Sequence, residues 1–224
     1  MKYFVIFLAS MLVTPCFSQE QGGTPPGVAV PLLTEIFRRH EASGSIGYWG
    51  RCEAMKSYPD FPKLCYPSDD SRPTLELLRD VFAEDPKMQV TQDANGVIRM
   101  FESDVPTDLL EIKIHQLSFG RPDQDPMESY GANSALIKVE LSPEVQAYRK
   151  GHDIGPLAQR FVGPGDAASQ QPVILGDLYD VTVKEALDYI LQTFPGFWIY
   201  ENCKTDEGER TANFAFFKAA QPGR

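Results

Sequence analysis

The chain has 224 residues, of which 42% are hydrophobic and 11% aromatic, and a formal net charge of −10. That apolar content supports a packed interior rather than disorder, and the length fits one large domain or two small ones. An acidic chain with no cluster of Lys and Arg excludes nucleic-acid phosphates and anionic lipid as expected partners.

Residues 1–18 read as a signal peptide. Lys2 gives the positive start, Tyr3 to Val13 is an unbroken apolar run, and Cys16 and Ser18 offer small residues for cleavage before Gln19. The run is too short to span a bilayer, and no later stretch is long and apolar enough. The expected product is a soluble exported protein of the periplasm with no membrane span. A lipid-attachment role for Cys16 is the weaker reading, because Pro15 stands where such sites prefer a small, unhindered residue.

Residues 19–27, with paired prolines and glycines, suggest a mobile leader, and order is expected from Val28. Leu32, Leu33, Ile36 and Phe37 form a helical stripe, with Pro31 at its first turn. Ser43 to Gly50 reads as a strand whose glycines weaken it or admit another backbone.

Cys52 and Cys65 flank a proline-containing loop and form the candidate disulfide, since closing that loop removes entropy from the unfolded chain. Cys203 then remains, either as a half-buried thiol at a strand end or as one half of a long-range disulfide.

A second helix is expected from about Pro73, with Leu75, Leu78, Val81 and Phe82 inward and Pro86 as its stop. Lys87–Gln92 and Val97–Glu102 then read as two strands joined by the tight turn Asp93-Ala94-Asn95-Gly96. Val105 to Phe119 has extended character. Residues 121–172 read as a linker that includes a short helix opened by Ser142-Pro143-Glu144, and Ala135–Leu141 fits either strand or helix.

The most legible stretch is Asp180 to Cys203. Thr182 is placed as an N-cap, and Val183, Ala186, Leu187, Ile190, Leu191 and Phe194 form one apolar stripe. Pro195-Gly196 ends the helix. Phe197–Tyr200 then reads as a strand that pairs with Ala212–Phe217. A shift of 109 positions lays Leu78 on Leu187, Val81 on Ile190, Phe82 on Leu191, Pro86 on Pro195, Met88 on Phe197 and Val90 on Ile199, which suggests two copies of one unit.

The segments VPLLTEIFRRHEASGSIGYWG and TLELLRDVFAEDPKMQVTQDANGVIRMFE, and again DVTVKEALDYILQTFPGFWIYENC, resemble the short N-terminal domain of secretins and TonB-dependent receptors. The resemblance implies a small periplasmic βαβ module that serves as a binding platform. The channel or barrel of those proteins does not follow here, and the Cys52–Cys65 insertion departs from their pattern.

Motifs for chemistry are sparse. His40, His115 and His152 show no metal spacing, so no cofactor or metal is expected. The acids Asp123, Asp125 and Glu128, and likewise Asp206, Glu207 and Glu209, are the candidates for a glycosidase-like pair, against the simpler reading of solvated loops. Trp49, Trp198 and Tyr200 are the candidate interaction surface, against the reading that they are core.

The sequence thus predicts an α+β protein of two helix-on-sheet modules, residues 28–120 and 173–218, followed by a tail at 219–224. Its expected role is docking an envelope protein, on a sheet edge or a helix face, with an envelope hydrolase as the alternative.

Overall fold

A computed structural model describes residues 24, 26–51, 61–65, 67, 71–120, 131–156, 174–205 and 208–219. Five helices and eight strands alternate along these residues: α1 Pro26–Arg39, β1 Gly44–Arg51, α2 Thr74–Val81, β2 Met88–Gln92, β3 Ile98–Glu102, β4 Lys113–Phe119, α3 Ala132–Glu140, α4 Pro143–Gly151, β5 Ile154–Pro156, β6 Gly176–Thr182, α5 Val183–Thr193, β7 Gly196–Lys204 and β8 Arg210–Lys218. A 3₁₀ turn, Asp108–Glu111, precedes β4. The fold is α+β, with helices packed on a mixed sheet.

Six strands form that sheet in the order β2-β3-β1-β7-β8-β5. β1 sits between β3 and β7 and is parallel to both. β2–β3 and β7–β8 are antiparallel hairpins, so the N- and C-terminal halves share one continuous sheet. A separate antiparallel ribbon, β4–β6, lies outside it.

One face of the sheet carries α1 and α2 over Ile46, Tyr48, Ile98, Met100, Phe197 and Ile199. The other carries α3, α5 and the β4–β6 ribbon over Trp198, Tyr200, Phe214 and Phe216. Each apolar stripe thus finds a wall, and the sheet is covered on both sides.

Local signals explain most boundaries. Thr182 caps α5 with a full capping box: its Oγ1 accepts from the Glu185 N–H at 3.1 Å while its own N–H donates to Glu185 Oε2 at 2.7 Å. Gly96, at φ +81°, closes the β2–β3 turn, where Asp93 Oδ1 accepts from the Asn95 and Val97 N–H groups. In β1, a methyl on Gly44 would sit 2.8 Å from the Ile98 carbonyl, so the glycine there admits a neighbouring backbone.

Several expectations need correction. Thr24, within the expected leader, exchanges backbone hydrogen bonds with Phe61 at 2.9 and 3.1 Å, and α1 starts at Pro26 rather than near Val28. Pro31 therefore lies inside α1 rather than at its first turn. Ala135–Leu141, open between strand and helix, resolves as helix to Glu140 with Leu141 as its C-cap, because the buried stripe Ala132, Ala135, Leu136 and Val139 is helical in period. β5 arises within the expected linker, and β6 from residues to which the sequence assigned no strand.

The 109-residue echo holds for the buried helix stripes, since Leu78, Val81, Leu187 and Ile190 are all fully enclosed. The strand faces do not correspond. α2 packs with Val90, but Ile199 points to the α1–α2 side, and Trp198 and Tyr200 face the α5 side. All of β7 from Gly196 to Cys203 is buried, and its apolar stretch Phe197–Tyr200 carries no alternation from which a face could be read.

Candidate functional site

Of Trp49, Trp198 and Tyr200, the last two lie inside the protein and only Trp49 reaches solvent. Trp198 and Tyr200 are 0% exposed, and the β1–β7 register places half-buried Trp49 beside Asn202 on the same sheet face. Their polar atoms are engaged within the protein. The Trp198 indole N–H donates to Asp188 Oδ1 at 3.1 Å, and the Trp49 backbone N–H donates to Glu102 Oε2 at 2.5 Å. The Tyr200 hydroxyl accepts from Arg210 Nη2 at 3.1 Å, and burial pushes its pKa up to about 12. Trp198 and Tyr200 belong to the core, as the alternative reading of these aromatics had it, and Trp49 does not.

The acids divide differently from the sequence's grouping. Asp123, Asp125, Glu128, Asp206 and Glu207 lie outside the described residues, and Glu209 is exposed. The sheet instead places two other glutamates around Tyr48: Glu201 accepts its hydroxyl at 2.7 Å, and Glu102 follows from the β1–β3 register on the opposite side. Both are buried, and each gives an oxygen to a structural hydrogen bond. Burial raises the Glu102 pKa, against the pull of the Trp49 N–H.

Cys52 is outside the described residues, so the expected Cys52–Cys65 pair is as well. Cys65 and Cys203 are both disulfide-bonded rather than free, which removes the leftover-thiol reading of Cys203. Among the described residues no cluster of His, Cys, Asp and Glu could hold a metal. His115 is exposed and pairs with Asp180 at 3.1 Å, which raises its pKa, and the His152 ring stacks on Tyr148 at 3.8 Å.

An open groove of about 410 Å³ lies between β4 and the α3–α4 corner. It is lined by Gln116, Leu117 and Ser118 from β4, by Ser134, Ile137 and Lys138 from α3 and its C-cap Leu141, and by Ser142 and Pro143 at the start of α4; none of these is an acid. Ser134, Ile137, Lys138 and Leu141 recur at helical spacing, a second stripe on α3 beside the buried one. Leu141 is 65% exposed and Ile137 37%, an apolar pair left in water.

Among the described residues, β4 pairs only with β6, so its groove side is a strand edge. The Val183 N–H donates to the Ile112 carbonyl at 2.9 Å, which sets the parity of the β4–β6 ladder. Ile114, Gln116 and Ser118 share Ile112's parity and turn toward β6, whereas His115 and Leu117 turn their N–H and C=O outward. Consistent with this, the His115 N–H donates to Glu144 Oε1 at 3.1 Å. Leu117 opens onto the groove.

Fold and groove together define a class: an α+β sandwich with an open strand edge set against an apolar helix stripe. The chain matches no protein-family model, no curated protein and no solved structure, so this class rests on the sequence and the geometry alone. No helix among the described residues is long and apolar enough to cross a membrane.

The sequence pointed to an exposed edge or apolar patch without locating it. The signal was SALIKVEL, whose apolar positions 135, 136, 137, 139 and 141 exceed what one helix face needs. The strand edge itself has no local signature, because it depends on β4 pairing with a strand sixty residues later.

Proposed function

We propose that this protein is an exported, periplasmic protein-interaction or assembly module that docks an envelope protein. The reading keeps the resemblance to the short N-terminal domain of secretins and TonB-dependent receptors, without their channel or barrel. The observation that carries it is the outward edge at Leu117 beside exposed Ile137 and Leu141. An edge of this kind offers main-chain hydrogen bonds to a partner while an adjacent pocket selects its side chains. The groove has no lining carboxylate, so an acid-pair hydrolase would have to work elsewhere.

A photo-crosslinking residue placed at Leu141, with exposed Gln89 on β2 as the remote control, tests this in producing cells. The expected result is one reproducible envelope-protein adduct at Leu141 and none at Gln89. The N-terminus of the recovered protein should be Gln19. Absence of any adduct, together with hydrolysis of envelope polysaccharide that depends on Glu102 or Glu201, would replace docking with the enzymatic reading.

A further inference from the structure

We draw no further inference here: the strongest candidate, the open groove between β4 and the α3–α4 corner, belongs to the docking site already described, and nothing in the structure shows what covers it.

Discussion

Arg99 and Asp188 meet as two parallel forks, with Arg99 Nη1 2.7 Å from Asp188 Oδ1 and Nη2 2.6 Å from Oδ2, although 89 residues separate them in sequence. The same guanidinium donates to Asp93 Oδ2 in the β2–β3 turn, at 3.1 Å from Nε and 2.5 Å from Nη2, and from Nη1 to Ser45 Oγ on β1 at 3.1 Å. Asp188 also accepts from the Trp198 indole at 3.1 Å. One side chain thus ties the first hairpin, the central strand, α5 and β7 together. Burial works against the Arg99 charge, but the two carboxylates outweigh it and its pKa is raised.

Replacing Arg99 with Met leaves Asp93 and Asp188 facing each other half-buried without a counter-charge. The expected cost is about 3 kcal/mol, the range for removing one member of a largely buried ion pair. Arg99→Lys recovers only part of it, because an ammonium cannot make the paired contacts. Urea unfolding measures the loss, and adding Asp188→Leu to Arg99→Met should return some stability. A change under about 0.5 kcal/mol for Arg99→Met would show that the bridge is mere surface decoration.

The capping box gives a smaller, local effect. Thr182→Ala should destabilise by about 1 kcal/mol, since it removes the acceptor of the Glu185 N–H. Glu185→Ala removes the reciprocal bond, and the double variant should lose less than the sum, because each half holds the other in place. Strict additivity in chemical denaturation would mean that the two bonds act independently.

The difference between these two interactions also explains what the sequence could reveal. The Thr182 cap and the Asp93–Gly96 turn are built from residues within four positions of one another, so their chemistry is visible in a short window. The Arg99–Asp188 bridge depends on β1 lying between β3 and β7, a fact of topology. The burial of Trp198 and Tyr200 has the same origin: a strand covered on both faces loses the alternation that would show which side is outward. β6 was missed because it is largely exposed, with polar residues such as Asp177 and Asp180, and β5 because three residues carry no period. The helix stripe of the groove was present in SALIKVEL, but its partner edge on β4 existed only once β6 had taken the other side.

Gly196 tests the junction between α5 and β7. It stands at φ +153°, and a methyl there would overlap the Phe217 carbonyl of the paired strand and approach the Ala219 N–H, which donates to the Pro195 carbonyl at 3.0 Å. Because the obstruction is backbone, no rotamer change relieves it. Gly196→Ala should therefore cost about 3 kcal/mol or more through combined strain and overpacking. A melting temperature within a degree of wild type would refute this close approach of β7 and β8.

Glu102 gives a prediction in pH. Its carboxyl is buried at the end of β3, and burial raises its folded pKa above the unfolded value, with Asp85 and Asp104 adding to the rise and the Trp49 N–H opposing it. Between the unfolded and folded values the folded state holds the extra proton. Stability from this group is therefore complete below the unfolded pKa and is lost as pH climbs through the folded one. Glu102→Gln keeps an oxygen for the Trp49 N–H and has no charge to bury. The variant should melt higher than wild type at pH 7.5, and the gap should close as the pH falls toward about 4, where an unperturbed glutamate is itself half protonated. Asp108 shifts the other way, its pKa lowered by Arg210, and so contributes stability that both proteins lose together in acid. Because Asp108 is common to the pair, the difference between their melting curves isolates Glu102. A gap that stays constant across the pH range, or a variant less stable than wild type at pH 7.5, would mean that the Glu102 carboxylate is better solvated than its place beneath the end of the sheet allows.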